Sequence, residues 1–132
     1  MKLIYETIYK KMDKLGLLDI QEYKKLISDG YMDLSIDVLN DNKEHKTIAL
    51  AHNFIQNGDV MADPDMEIKI HKDLKMAEAL TYQLDSLGVF QCVYSDDGKK
   101  VNLALKKQLN SFLNKWLTNL INQGFSNIKE EN

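Results

Sequence analysis

The spacing of apolar residues changes twice along the chain, and that change limits the fold more than any single motif. Between Lys2 and Leu15, the residues Ile4, Ile8, Met12 and Leu15 recur at helical intervals and make one apolar stripe. From Tyr31 the interval drops to two: Leu34, Ile36 and Val38 alternate with Asp33, Ser35 and Asp37, as on a half-buried strand. From Asn102 the helical interval returns. Leu105, Leu109, Phe112, Leu113, Trp116, Leu117, Leu120 and Ile121 form a wide apolar face running to about Gln123, with Asn102 placed to cap its start and Gly124 its end. A strand-rich middle between helical ends predicts an α+β fold.

The remaining elements follow from local chemistry. Asp19 with Glu22 three positions on is a capping-box arrangement. With Ile20, Tyr23, Leu26 and Ile27 it predicts a second helix ending at Asp29–Gly30. Further strands are expected over Thr47 to Ile55, from Met66 through Ile70, over Met76 to Leu84 and over Val89 to Tyr94. On the first of these, His52 joins Ile48, Leu50 and Phe54 on one face, and the small Ala49 and Ala51 share the other with Asn53. The small face suggests close approach of another element. The expectation is one α+β domain over residues 1–132. It has an antiparallel meander of about five strands, two N-terminal helices and a long C-terminal helix packed on the sheet. Asn127 to Asn132 reads as a frayed tail.

Composition excludes more than it includes. The net charge of −3 is too balanced to imply an electrostatic partner by itself. All 17 basic residues are lysine. Without arginine forks the chain is poorly equipped to read bases or to clamp phosphate in two places. Lys106, Lys107 and Lys115 lie on the outer face of the last helix, without interleaved aromatic residues for base stacking. The single Cys92 cannot form an intrachain disulfide, and no apolar run approaches the roughly 20 residues that span a bilayer. Glu6 interrupts any leader-like segment, so a cytoplasmic setting without membrane attachment is expected. GxSxG, HExxH, CxxC and phosphate-cradling glycine loops are absent.

One stretch, Gln56 to Glu67, stands out chemically. Asn57–Gly58 is a strong turn dipeptide, and Asp63–Pro64–Asp65 reads as a second turn signal. Asp59, Asp63, Asp65 and Glu67 crowd this corner with oxygen ligands of the kind Mg²⁺ or Ca²⁺ takes, although the spacing is not that of an EF-hand. Turn chemistry alone selects Asp, Asn and Gly, so no metal is expected. His45, His52, His71 and Cys92 are scattered singly, unlike the paired ligands of zinc sites. His52 is a candidate site histidine, because it could act as a base oriented by Asp63 or Asp65; the alternative is a hydrogen-bonded core histidine.

The stretches Ala51 to Glu67 (AHNFIQNGDVMADPDME), Ala77 to Gln83 (AEALTYQ) and Leu109 to Leu117 (LNSFLNKWL) resemble a family of small uncharacterised proteins of Gram-positive bacteria, often carried on conjugative or other mobile elements. The resemblance covers roughly residues 45 to 125 and supplies no activity. It implies a bacterial cytoplasmic protein of mobile-element origin. The expected function is therefore a non-enzymatic binding or regulatory module without a cofactor. Asn57, Asp59, Asp63, Asp65 and Glu67 would form a surface for a protein partner with a basic face. A small metal-assisted hydrolase at the acidic corner is the first alternative, and a weak nucleic-acid binder using the lysine-bearing helix the second.

Overall fold

The computed structural model describes residues 3–125; the expected tail lies outside them. The described elements are helix α1 (Ile4–Lys14), strands β1 (Tyr23–Leu26), β2 (Asp33–Asp41), β3 (His45–Gln56), β4 (Asp59–His71), β5 (Met76–Ala79), β6 (Thr81–Leu84) and β7 (Val89–Cys92), and helix α2 (Leu103–Asn122). A 3-10 turn, Asp85–Leu87, joins β6 to β7. The class is α+β as expected, but with seven strands and two α-helices among the described residues.

All strand pairings are antiparallel, in the order β1-β2-β3-β4-β6-β7, with β5 also paired to β4. The strand alternation sorts residues cleanly. Leu34, Ile36, Ile48, Leu50, Met66 and Ile68 are fully buried on one face. Ile8 and Met12 of α1 and Leu113, Leu117 and Leu120 of α2 complete the same core. Asn102 caps α2 by accepting from the Leu105 N–H at 3.0 Å, and Gly124 follows its end at φ +91°, a conformation that disfavours other residues.

Three expectations are corrected. The second N-terminal helix is strand β1. Its apolar residues are spaced for a helix, but only Ile20 and Leu26 are buried, while Tyr23 and Ile27 stay exposed. A helix of two turns gains little from propensity alone, whereas pairing with β2 satisfies backbone groups along that strand's open edge. The expected fourth strand is divided at Leu80, whose N–H turns back to the Glu67 carbonyl at 2.8 Å, so that β5 and β6 pair with successive parts of β4.

The third correction concerns the corner. Asn57 (φ +53°) and Gly58 (φ +84°) form the tight two-residue hairpin turn. Asp63–Pro64–Asp65, by contrast, lies inside the long strand β4. The pairing passes from Ala51↔Asp65 to Asn53↔Ala62, so Asp63 and Pro64 together stand opposite His52. This is a β-bulge, and it accommodates a proline that cannot donate to the ladder. The Asp63–Pro64 peptide is cis.

Candidate functional site

Both α-helices belong to the one core, so the opposite face of the sheet carries neither of them. Two cross-strand rows define this outer face. One runs Lys25–Ser35–Ala51–Asp65–Gln83–Phe90, and the other Tyr23–Asp37–Ala49–Glu67. Ala49, Ala51 and Ser35 make a low floor, with the carboxylates of Asp37, Asp65 and Glu67 rising beside it. The small face of β3 therefore receives neither described α-helix, contrary to the close approach its alanines suggest.

The electrostatics centre on Asp65. Partial burial raises its pKa first, and the nearby carboxylates of Glu67, Asp85 and Asp37 raise it further. Among the described residues, the charged groups that shift it are all carboxylates. Lys25 lies in the same row but pairs with Asp33 at 3.2 Å. Strand spacing of about 4.8 Å puts the three steps from Lys25 to Asp65 at roughly 14 Å.

The stretch singled out in the sequence is thus divided by the fold. Asp65 and Glu67 share the outer face. Asp63 sits at the bulge, where one carboxylate oxygen accepts from the Ser86 hydroxyl at 2.8 Å. Its other oxygen is buried without a partner among the described residues. Asn57 and Asp59 stand at the exposed hairpin tip, and the six residue steps from Asp59 to Asp65 span about 20 Å of strand. Among the described residues, no three His, Cys, Asp or Glu side chains converge as a metal-holding group.

His52 faces the core. It is 7% exposed, with ring centroids 5.5 Å from Trp116 and 6.0 Å from Phe125. Its Nδ1 lies 3.4 Å from the Asp33 carbonyl, and burial lowers its pKa. Strand alternation places Asp65 on the opposite side of the sheet, so the two do not form an acid–base pair.

Sequence reasoning missed two groups. Asp37 and Asp85 join Asp65 only through the folded sheet; the alternation of Asp37 with Val38 marked its face but not its neighbours. The second group is a half-buried polar cluster at the start of α2. Glu78 receives His71 Nε2 at 2.7 Å and the Tyr94 hydroxyl. Lys106 donates to that hydroxyl at 2.8 Å, and its ammonium lies 5.5 Å from the Tyr5 ring centroid and 5.3 Å from that of Tyr94. These partners hold the Glu78 pKa down against the opposing effect of burial, which is the largest single influence. The residues are dispersed from Tyr5 to Lys106, so no spacing in the sequence announces them. Lys106 is accordingly engaged with the sheet edge, and Lys107 and Lys115 remain on the exposed side of the helix.

No described helix is long and apolar enough to cross a membrane. No curated protein and no solved structure matches the chain. The family model for a domain of unknown function, DUF6908, matches residues 4–126, and the chain belongs to that family.

Proposed function

We propose that this chain is a non-enzymatic binding and regulatory module of a bacterial mobile element, acting in the cytoplasm. Its working surface is the outer face of the sheet, and its partner is a protein segment rich in lysine or arginine. The observation that supports this reading is the electrostatics of Asp65: a half-buried carboxylate, among other carboxylates, on a sheet face without a helix. A cationic segment laid over Ala49 and Ala51 would relieve that repulsion and lower the Asp65 pKa. Affinity would fall with salt, as expected for partly exposed charge pairing.

The test is fluorescence anisotropy with a labelled oligolysine peptide at low and high salt, using wild-type protein and the double variant Asp65→Asn, Glu67→Gln. The expected result is salt-sensitive binding weakened about tenfold or more in the variant, equivalent to about 1.4 kcal/mol. Unchanged binding in a folded variant would reject the surface. Calorimetric titration with Mg²⁺, Ca²⁺ and Mn²⁺ is expected to show nothing tighter than millimolar affinity. Micromolar affinity lost in the same variant would favour metal-assisted chemistry instead.

A further inference from the structure

The strand order ends in β1 and β7, two edges of opposite character. β1, Tyr23-Lys24-Lys25-Leu26, carries the lysines that commonly blunt an edge against further pairing. β7, Val89-Phe90-Gln91-Cys92, has neither charge nor proline. Around it stand Leu87, Phe90 and Leu103, which are 72%, 59% and 71% exposed. We propose that β7 is a dimerisation edge that pairs antiparallel with the β7 of a second copy.

The backbone supports this occupant. Val93 donates to the Leu80 carbonyl at 2.9 Å. By alternation, Gln91 and Val89 also turn their backbone groups toward β6, so those of Phe90 and Cys92 point away from it. The strand ends at Cys92, and just beyond it the Val93 carbonyl is taken by the Asn102 N–H at 2.8 Å. At the other end the 3-10 turn leads the chain away from the edge. The edge therefore takes a strand about as long as β7 itself.

Facing residues also select the register. Phe90 and Cys92 pair with Gln83 and Thr81 and share the outer face. Residues directly opposite in an antiparallel pair lie on one face. A two-fold axis normal to the sheet can thus centre on Gln91, setting Phe90 against the partner's Cys92, so that only the outward backbone groups of these two residues are used. Centring on Phe90 would set Cys92 against the partner's Gly88, whose N–H already donates to the Asp85 carbonyl at 3.2 Å and whose φ of +64° is not that of a strand. The neutral strand opposes no like charges in this pairing and offers no counter-charge to a charged peptide. The Cα atoms of the two Cys92 residues would be about 8 Å apart, beyond disulfide reach.

Sedimentation velocity on the full chain, from low to high micromolar concentration, tests the proposal. Wild type is expected to form a dimer. Phe90→Lys is expected to raise the dissociation constant at least about tenfold without changing the far-UV circular dichroism. With Cys92 retained, Phe90→Cys is expected to form a disulfide-linked dimer under mild oxidation through the partner's Cys92, whereas wild type and Phe90→Cys in a Cys92→Ser background do not. A wild-type monomer throughout the range, a dimer indifferent to Phe90→Lys, or cross-linking of the wild type through Cys92 alone would overturn the proposal. If Phe90→Lys fails to fold, the Phe90→Cys cross-link decides.

Discussion

His52 and Asp65 belong to neighbouring strands yet meet opposite environments, and pH separates them. His52 is buried beside Trp116, which holds its pKa below the ordinary 6.5. As pH falls below that value, the unfolded chain takes up the proton first, so stability is lost down to the folded pKa. His52→Gln stays neutral throughout and should flatten the slope of Tm against pH in that window; parallel slopes would show that His52 does not cause the loss. Asp65 has a raised pKa, so its folded state favours the protonated form. The cost of ionisation is present in full above the folded pKa and disappears as pH falls below 3.8. Asp65→Asn should therefore raise Tm at neutral pH by roughly one or two degrees, with the gain vanishing in acid. A lower Tm at neutral pH would mean that the carboxylate makes a favourable contact. The alternation in β4 made the shared face of Asp65 and Glu67 legible. Their neighbours Asp37 and Asp85 were not legible, because strand register is set by distant pairing.

The long helix α2 was the most readable element because its apolar face is local and repeats over five turns. The structure buries Leu113, Leu117 and Leu120 and leaves Trp116 only 6% exposed, but Phe112 lies at the rim, edge-on to Tyr82 at 5.3 Å. Trp116→Ala should destabilise by about 3–5 kcal/mol, measured by urea unfolding, and native tryptophan emission should be blue-shifted. A water-exposed spectrum would remove Trp116 from the core. Asn110 was not legible as a packing residue. It is 1% exposed, and its Oδ1 accepts the Ala79 N–H at 2.8 Å on the last residue of β5. Asn110→Leu leaves that donor unpaired and should cost about 1–3 kcal/mol; an unchanged midpoint would show that another acceptor serves it. β1 was misread for the complementary reason. Its short apolar pattern suits a helix in isolation, and only the open edge of β2 decides against it.

At the scale of the molecule, one continuous core joins both helices to the sheet. It runs from Ile8 through Leu50 and Ile68 to Leu120, with no second cluster among the described residues to unfold separately. Lys46 ties the irregular segment after α1 to this core, its buried ammonium donating to the carbonyls of Leu18 at 2.9 Å and Ile20 at 2.5 Å. The Glu78 cluster fastens the start of α2 at the opposite end of the chain. Loss of either anchor therefore exposes part of the common core and does not release a separate unit. A single cooperative transition should result. Urea melts followed by Trp116 fluorescence, which reports the helix–sheet contact, and by far-UV circular dichroism, which reports the whole backbone, should share one midpoint and one slope. Lys46→Met removes the ammonium that serves two carbonyls while keeping much of the stem. It should lower the common midpoint without separating the two curves. An earlier fluorescence transition would instead show that α2 leaves the sheet before the strands part, and the core would then be two cooperative units.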